Sequence, residues 1–181
     1  MNDPRHYFVN DTLRNGTSVT IRAIRPEDKT KLVSAFKNLD RESVYTRFFQ
    51  YVTELTDQDL KRATEMDFDR EVALVVTTNL GDEEPIIGTG RYVVFEEADA
   101  GRSAEVAFVV EEDYQGLGVA SRIFRHLVQI GRQKHVSRFK ADVLSGNQAM
   151  LGVFAGSGLP MKQQHDGTVV QVTLSLDETG S

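Results

Sequence analysis

The chain has 181 residues, 40% hydrophobic and 27% charged, with a net charge of −6 and no cysteine. This length supports one domain with a sizeable core. The composition excludes disulfides, zinc–thiolate sites and a thiol nucleophile, and the acidic balance argues against nucleic acid as a partner. No apolar run approaches the roughly 20 residues that span a bilayer, so no membrane partner is expected. Met1 to His6 lacks the apolar core of a signal peptide, and the expected location is cytoplasmic.

Val19 to Ile24 alternates apolar and polar residues, the pattern of a half-buried strand. Asp11 to Gly16 before it reads as an irregular or hairpin-like lead-in. Pro26 and the acidic pair after it predict a helix from near Glu27, with Leu32, Val33, Phe36 and Leu39 on one face. Arg41 to Phe49 is a second helical candidate. Thr56, with Asp59 three residues on, reads as the cap of a helix running to about Met66. Glu71 to Thr78 and Ile86 to Phe95 form an expected antiparallel pair, followed by a strand from Ser103 to Val110. Gly118 to Lys134 is the strongest helix, with Ala120, Ile123, Phe124, Leu127 and Ile130 on one face. Then come a strand (Arg138 to Leu144), a helix (Asn147 to Ala155) and a hairpin, Met161 to His165 and Thr168 to Leu176, around Asp166-Gly167. The strand–helix–strand unit in the second half requires a parallel crossover. The expected architecture is α/β (α+β): one domain with its core over about 19–176, and a mixed, mostly antiparallel sheet of about seven strands with helices on both faces.

The most informative stretch is Ala104 to Ala120, an apolar strand, an acidic turn and a glycine-rich loop opening a helix. Unpaired N–H groups and the helix dipole make such a helix start an anion site. Gly116 and Gly118, without Cβ atoms, let a phosphate approach the backbone. A tight turn alone also explains two glycines. A dinucleotide site is a further reading, since Gly116 to Ser121 nearly spells G-x-G-x-x-G with Asp142 beyond it. Against it, the last position is Ser121, and several strands precede a motif that normally opens its fold.

Gln115-Gly116-Leu117-Gly118-Val119-Ala120 resembles the acyl-CoA signature Gln/Arg-x-x-Gly-x-Gly/Ala of the GNAT family of N-acetyltransferases. Asn147 to Leu159 is similar to that family's later Asn-x-x-x…Gly-Phe segment, and the element order agrees over Val19 to Leu176. A closer resemblance is to bacterial protein-lysine acetyltransferases that modify acyl-CoA synthetases. It is carried by Arg22-x-Ile24-Arg25-Pro26-Glu27-Asp28, Tyr45-x-Arg47-Phe48-Phe49, Asp67 to Glu71 and Ala104-Glu105-Val106.

The resemblance implies acetyl-CoA as co-substrate, with its pyrophosphate on the N–H groups of Gln115, Gly116, Leu117, Gly118, Val119, Ala120 and Ser121. It implies that the pantetheine runs along Phe108, Val109 and Val110, with an N–H near Val109 for the oxyanion and Asn147 hydrogen-bonding the arm. Arg122 or Arg125 meets the ribose phosphate, or else both belong to a solvated helix face. The acceptor, expected to be a protein lysine, has a pKa of about 10.4 and must lose a proton before it attacks. Glu105 is the expected general base, its apolar strand neighbours tending to raise its pKa. The family often carries a Tyr as general acid where this chain has Phe154. Scattered histidines, with His126 and His135 read as surface helix residues, imply no metal. A small amine as acceptor and a non-catalytic acyl-CoA-binding module stay open, as does a homodimer.

Overall fold

The computed structural model describes residues 3–37, 56–79, 84–97, 101–111 and 114–177. Its elements are β1 (Phe8–Thr12), β2 (Ser18–Ala23), α1 (Lys29–Lys37), α2 (Asp57–Thr64), β3 (Glu71–Thr78), β4 (Ile86–Glu97) and β5 (Gly101–Val110). They continue with α3 (Val119–Gln133), β6 (Arg138–Leu144), α4 (Gln148–Ala155), β7 (Met161–Asp166) and β8 (Val169–Ser175). The helix expected over Arg41 to Phe49 lies outside the described residues.

One eight-stranded sheet runs in the order β1-β2-β3-β4-β5-β6-β8-β7. All neighbours are antiparallel except β5 and β6. The strand beyond the expected seven is β1, whose register pairs Phe8 with Arg22 and Thr12 with Ser18. It is an edge strand, exposed or half-buried along its length, so no apolar alternation marks it. The lead-in is thus a hairpin. Its turn is closed by Leu13 N–H to Thr17 O at 2.8 Å and passes through Gly16 at φ 88°. Leu13, 3% exposed, anchors it in the core. At the other hairpin the pairing of Asp166 with Val169 leaves Gly167 and Thr168 as the loop, one position later than expected.

Side-chain alternation sorts the sheet into two faces. Ile21, Leu74, Gly90, Phe108 and Phe139 share the face covered by α3. Ile123, Phe124, Leu127 and Ile130 are buried there, each worth about 1.5–3 kcal/mol in apolar area removed from water. Two glycines set how closely α3 sits. A Cβ on Gly88 would meet Val119 Cγ1 at 2.8 Å, and one on Gly90 would meet Phe108 Cδ1 at 2.8 Å and overlap Ile123.

The opposite face carries Arg22, which is 4% exposed. Its guanidinium grips Asp28 in bidentate fashion at 2.9 and 2.7 Å, just ahead of α1. Asp28 also accepts the Arg25 N–H at 2.8 Å. Burial pushes the Asp28 carboxyl up, but the Arg22 and Arg25 hydrogen bonds and charges outweigh it and hold it below its ordinary value. This pair ties the α1 side of the molecule to β2 and explains the Arg22…Asp28 motif in structural terms. Residues 72–78 of β3 are buried throughout, consistent with cover on both faces.

Candidate active site

The parallel pairing of β5 and β6 covers Ser103 to Glu105 against Arg138 to Lys140 and then stops. On its other side β5 stays paired with β4 as far as Val110. Beyond Glu105 the two strands part, and β5 offers an open backbone edge. The Glu111 N–H donates to Ile87 O of β4 at 2.8 Å. Backbone groups alternate along a strand, so the Val109 N–H also turns toward β4, while those of Phe108 and Val110 turn toward the opening. The Val110 carbonyl on that edge accepts Gln115 Nε2 at 3.1 Å.

The chain then turns through Tyr114 to Gly118 into α3. Gly116 (φ 82°) and Gly118 (φ 90°) both occupy the left-handed region, which disfavours side chains. Gly118 is the N-cap of α3 without a side-chain hydrogen bond, leaving the first N–H groups directed outward. A Cβ on Gly116 would project into open space.

A cavity of about 450 Å³ joins these parts. Phe108, Val109 and Val110 line it from the strand; Gln115, Gly116, Gly118, Val119, Ala120 and Ser121 line it from the loop and helix start. Asn147 lines it as the N-cap of α4, its Oδ1 accepting the Met150 N–H at 3.1 Å. Leu117 is the exception among the expected loop residues. It is partly buried against the core and its carbonyl accepts the Arg14 N–H at 3.4 Å.

The family model for the acetyltransferase (GNAT) family matches residues 36–158. The chain belongs to this family. Acetyltransferase Pat of Mycolicibacterium smegmatis is 30% identical over 158 residues, covering 87% of this chain. This chain spans 46% of that protein's length. Acetyltransferase PA5475 of Pseudomonas aeruginosa is 25% identical over 167 residues, with 92% of this chain and 88% of that protein covered. The crystal structure of the GNAT domain of S. lividans PAT superimposes with a TM-score of 0.82 at 32% identity, covering 93% of this chain and 96% of that one.

Within this GNAT fold Glu105 stands outside the cavity lining, the last β5 residue paired with β6, opposite Lys140. Its side chain is exposed and shares the α1-side face with Ala107 and Val109. Its apolar sequence neighbours Ala104 and Val106 are buried on the α3 face, so they do not enclose it as expected. Arg122 is also outside the cavity lining. It donates to Asp11 Oδ2 at 3.0 Å, Thr12 O at 3.0 Å and Gly118 O at 3.1 Å, clamping the β1 hairpin onto the glycine loop. Arg125 is exposed on α3, outside the cavity lining.

Phe154 is 1% exposed and packs at 6.0 Å from Phe108 and edge-on at 5.2 Å from Phe124, in an aromatic cluster. Tyr92 is buried deep in the sheet with its hydroxyl unpaired, and burial pushes it well above the usual phenol range. Tyr114 does line the cavity. His126 is not a surface residue. It is half-buried and hydrogen-bonded through Nδ1 to the Tyr7 hydroxyl, with burial first and Arg125 second holding its pKa below the ordinary value. Among the described residues no cluster of three metal-ligating side chains occurs, and no helix is long and apolar enough to cross a membrane.

Sequence reasoning missed Arg14, Tyr114, Ala149, Met150, Gly152 and Val153 as lining residues. For Arg14 a signal was present: Asn15-Gly16, a strong hairpin pair that places the preceding residue in a turn.

Proposed function

We propose that this chain transfers an acetyl group from acetyl-CoA to a lysine side chain of a protein, with an acyl-CoA synthetase as the favoured acceptor. The observation that carries the reading is the continuity of one cavity from the open edge of β5 to the two-glycine start of α3. A strand edge suits the amide-bearing pantetheine, and the outward N–H groups of the helix start suit a pyrophosphate. In this reading Phe108 and Val110 hydrogen-bond the arm through their backbones. Asn147, with Oδ1 engaged as the α4 cap, donates from Nδ2.

The thioester then lies where β5 and β6 part, close to Glu105 at the apex. The acceptor amine approaches from the exposed face of β5, and Glu105 takes its proton directly or through one water. The amine nitrogen attacks the carbonyl carbon, the carbon–sulfur bond breaks, and the second excess proton on the nitrogen passes to solvent water. With Phe154 lacking a hydroxyl, the sulfur leaves as a thiolate, a fair leaving group at a thiol pKa of about 8.5. The exposure of Glu105 favours a protein acceptor, which needs an open surface, over a small amine, which an enclosed pocket suits better.

The test is thiol release from acetyl-CoA with a lysine-bearing acyl-CoA synthetase, with polyamines and with no acceptor. Release with the synthetase, and loss of turnover at neutral pH in Glu105→Gln with unchanged acetyl-CoA affinity, is the expected pattern. Turnover of Glu105→Gln equal to that of the parent chain removes Glu105 from the mechanism. Binding without release under any condition leaves a non-catalytic module.

A further inference from the structure

Among the described residues lining the cavity, Arg14 is the one charged residue. It is brought there by the β1–β2 turn, a different part of the chain from the glycine loop. Its backbone N–H donates to Leu117 O at 3.4 Å, and its guanidinium Nη1 to Gly116 O at 3.3 Å. Its Nε lies 3.4 Å from where a Gly118 Cβ would sit. The guanidinium therefore stands beside the loop whose N–H groups face the cavity. Arg122, the nearest other cation, is occupied by Asp11 and two carbonyls, and the chain as a whole is acidic.

We propose that Arg14 is a phosphate-recognition residue, pairing with the pyrophosphate oxygens of the acyl-CoA beside the α3 helix start. The inference rests on the acyl-CoA reading of the site. A planar guanidinium matches the two non-bridging oxygens of a phosphate, and the fixed turn limits the side-chain freedom lost on pairing. Leu13 buried beneath the turn and Arg122 clamping β1 hold that turn in place. The β1 hairpin is then part of the binding site and not only an added edge.

Calorimetric titration of the whole chain with CoA, 3′-dephospho-CoA and pantetheine tests this, with thermal melting of each unliganded variant as a folding control. Arg14→Ala is expected to weaken CoA and dephospho-CoA alike, by about 10- to 100-fold, the range for a hydrogen bond to a charged group. Pantetheine binding should not change, and Arg14→Lys, which keeps the charge without the fork, should fall between. Equal CoA affinity in parent and Arg14→Ala overturns the inference. So does an equal loss for pantetheine, which would make Arg14 a scaffold residue, or a loss for CoA alone, which would assign it to the 3′-phosphate. A parent chain that binds CoA no better than pantetheine overturns the glycine-loop reading itself, a distinguishable failure.

Discussion

Gly116→Ala separates backbone strain from ligand contact. Gly116 sits at φ 82°, and a Cβ there meets nothing within 4 Å. The same is true of Gly167, at φ 62° in the β7–β8 turn far along the chain. A left-handed residue with a Cβ costs roughly 1–2 kcal/mol, so both alanine variants should lose about that much stability. For a chain of this size that is a fall in Tm of about 2–8 °C. The two differ in what occupies the open space. At Gly167 it is solvent; at Gly116 it is the cavity proposed to take the pyrophosphate. Gly116→Ala should therefore weaken acetyl-CoA by about tenfold or more, equivalent to about 1.4 kcal/mol, while Gly167→Ala leaves it unchanged. Melting curves and titration calorimetry on the pair give both quantities. Equal acetyl-CoA affinity in the two variants would refute the placement of the pyrophosphate on this loop.

Asp28→Asn leaves Arg22 charged and buried without its partner, and should cost about 3–5 kcal/mol in denaturant unfolding. The same pair sets an acid limit. The folded Asp28 pKa lies below its ordinary value, so its stabilising contribution is present above the unfolded carboxylate value of about 3.9 and is lost as pH falls through the lower folded value. Asp28→Asn should flatten that part of the stability–pH curve, read by unfolding at a series of pH values. Gly90→Ala drives a methyl against Ile123 and Phe108, and should cost about 1–3 kcal/mol by overpacking. A Tm unchanged from the parent would mean that α3 does not pack against β4 as described.

The core strands and helices were legible because burial imposes a period. Glu71 to Thr78 is buried almost throughout, Arg138 to Leu144 alternates between buried and more exposed positions, and α3 carries its apolar stripe over its full length. The glycine loop was legible because its chemistry sits in consecutive residues. What escaped depends on geometry across the chain. The β1 strand is exposed, so hydrophobicity does not report it. Arg14 reaches the site only once that hairpin has formed. Glu105 looks enclosed in sequence, yet strand alternation puts its apolar neighbours on the other face. For Arg122 the choice between a ribose-phosphate contact and a solvated face stays open in sequence, because nothing in α3 alone reveals Asp11 more than a hundred residues away.

The most direct measurement is mass spectrometry of an acyl-CoA synthetase after incubation with this chain and acetyl-CoA. The account predicts acetyl-lysine on the synthetase, dependent on both acetyl-CoA and Glu105. Thiol release accompanied by an unmodified synthetase and an acetylated small amine would contradict it.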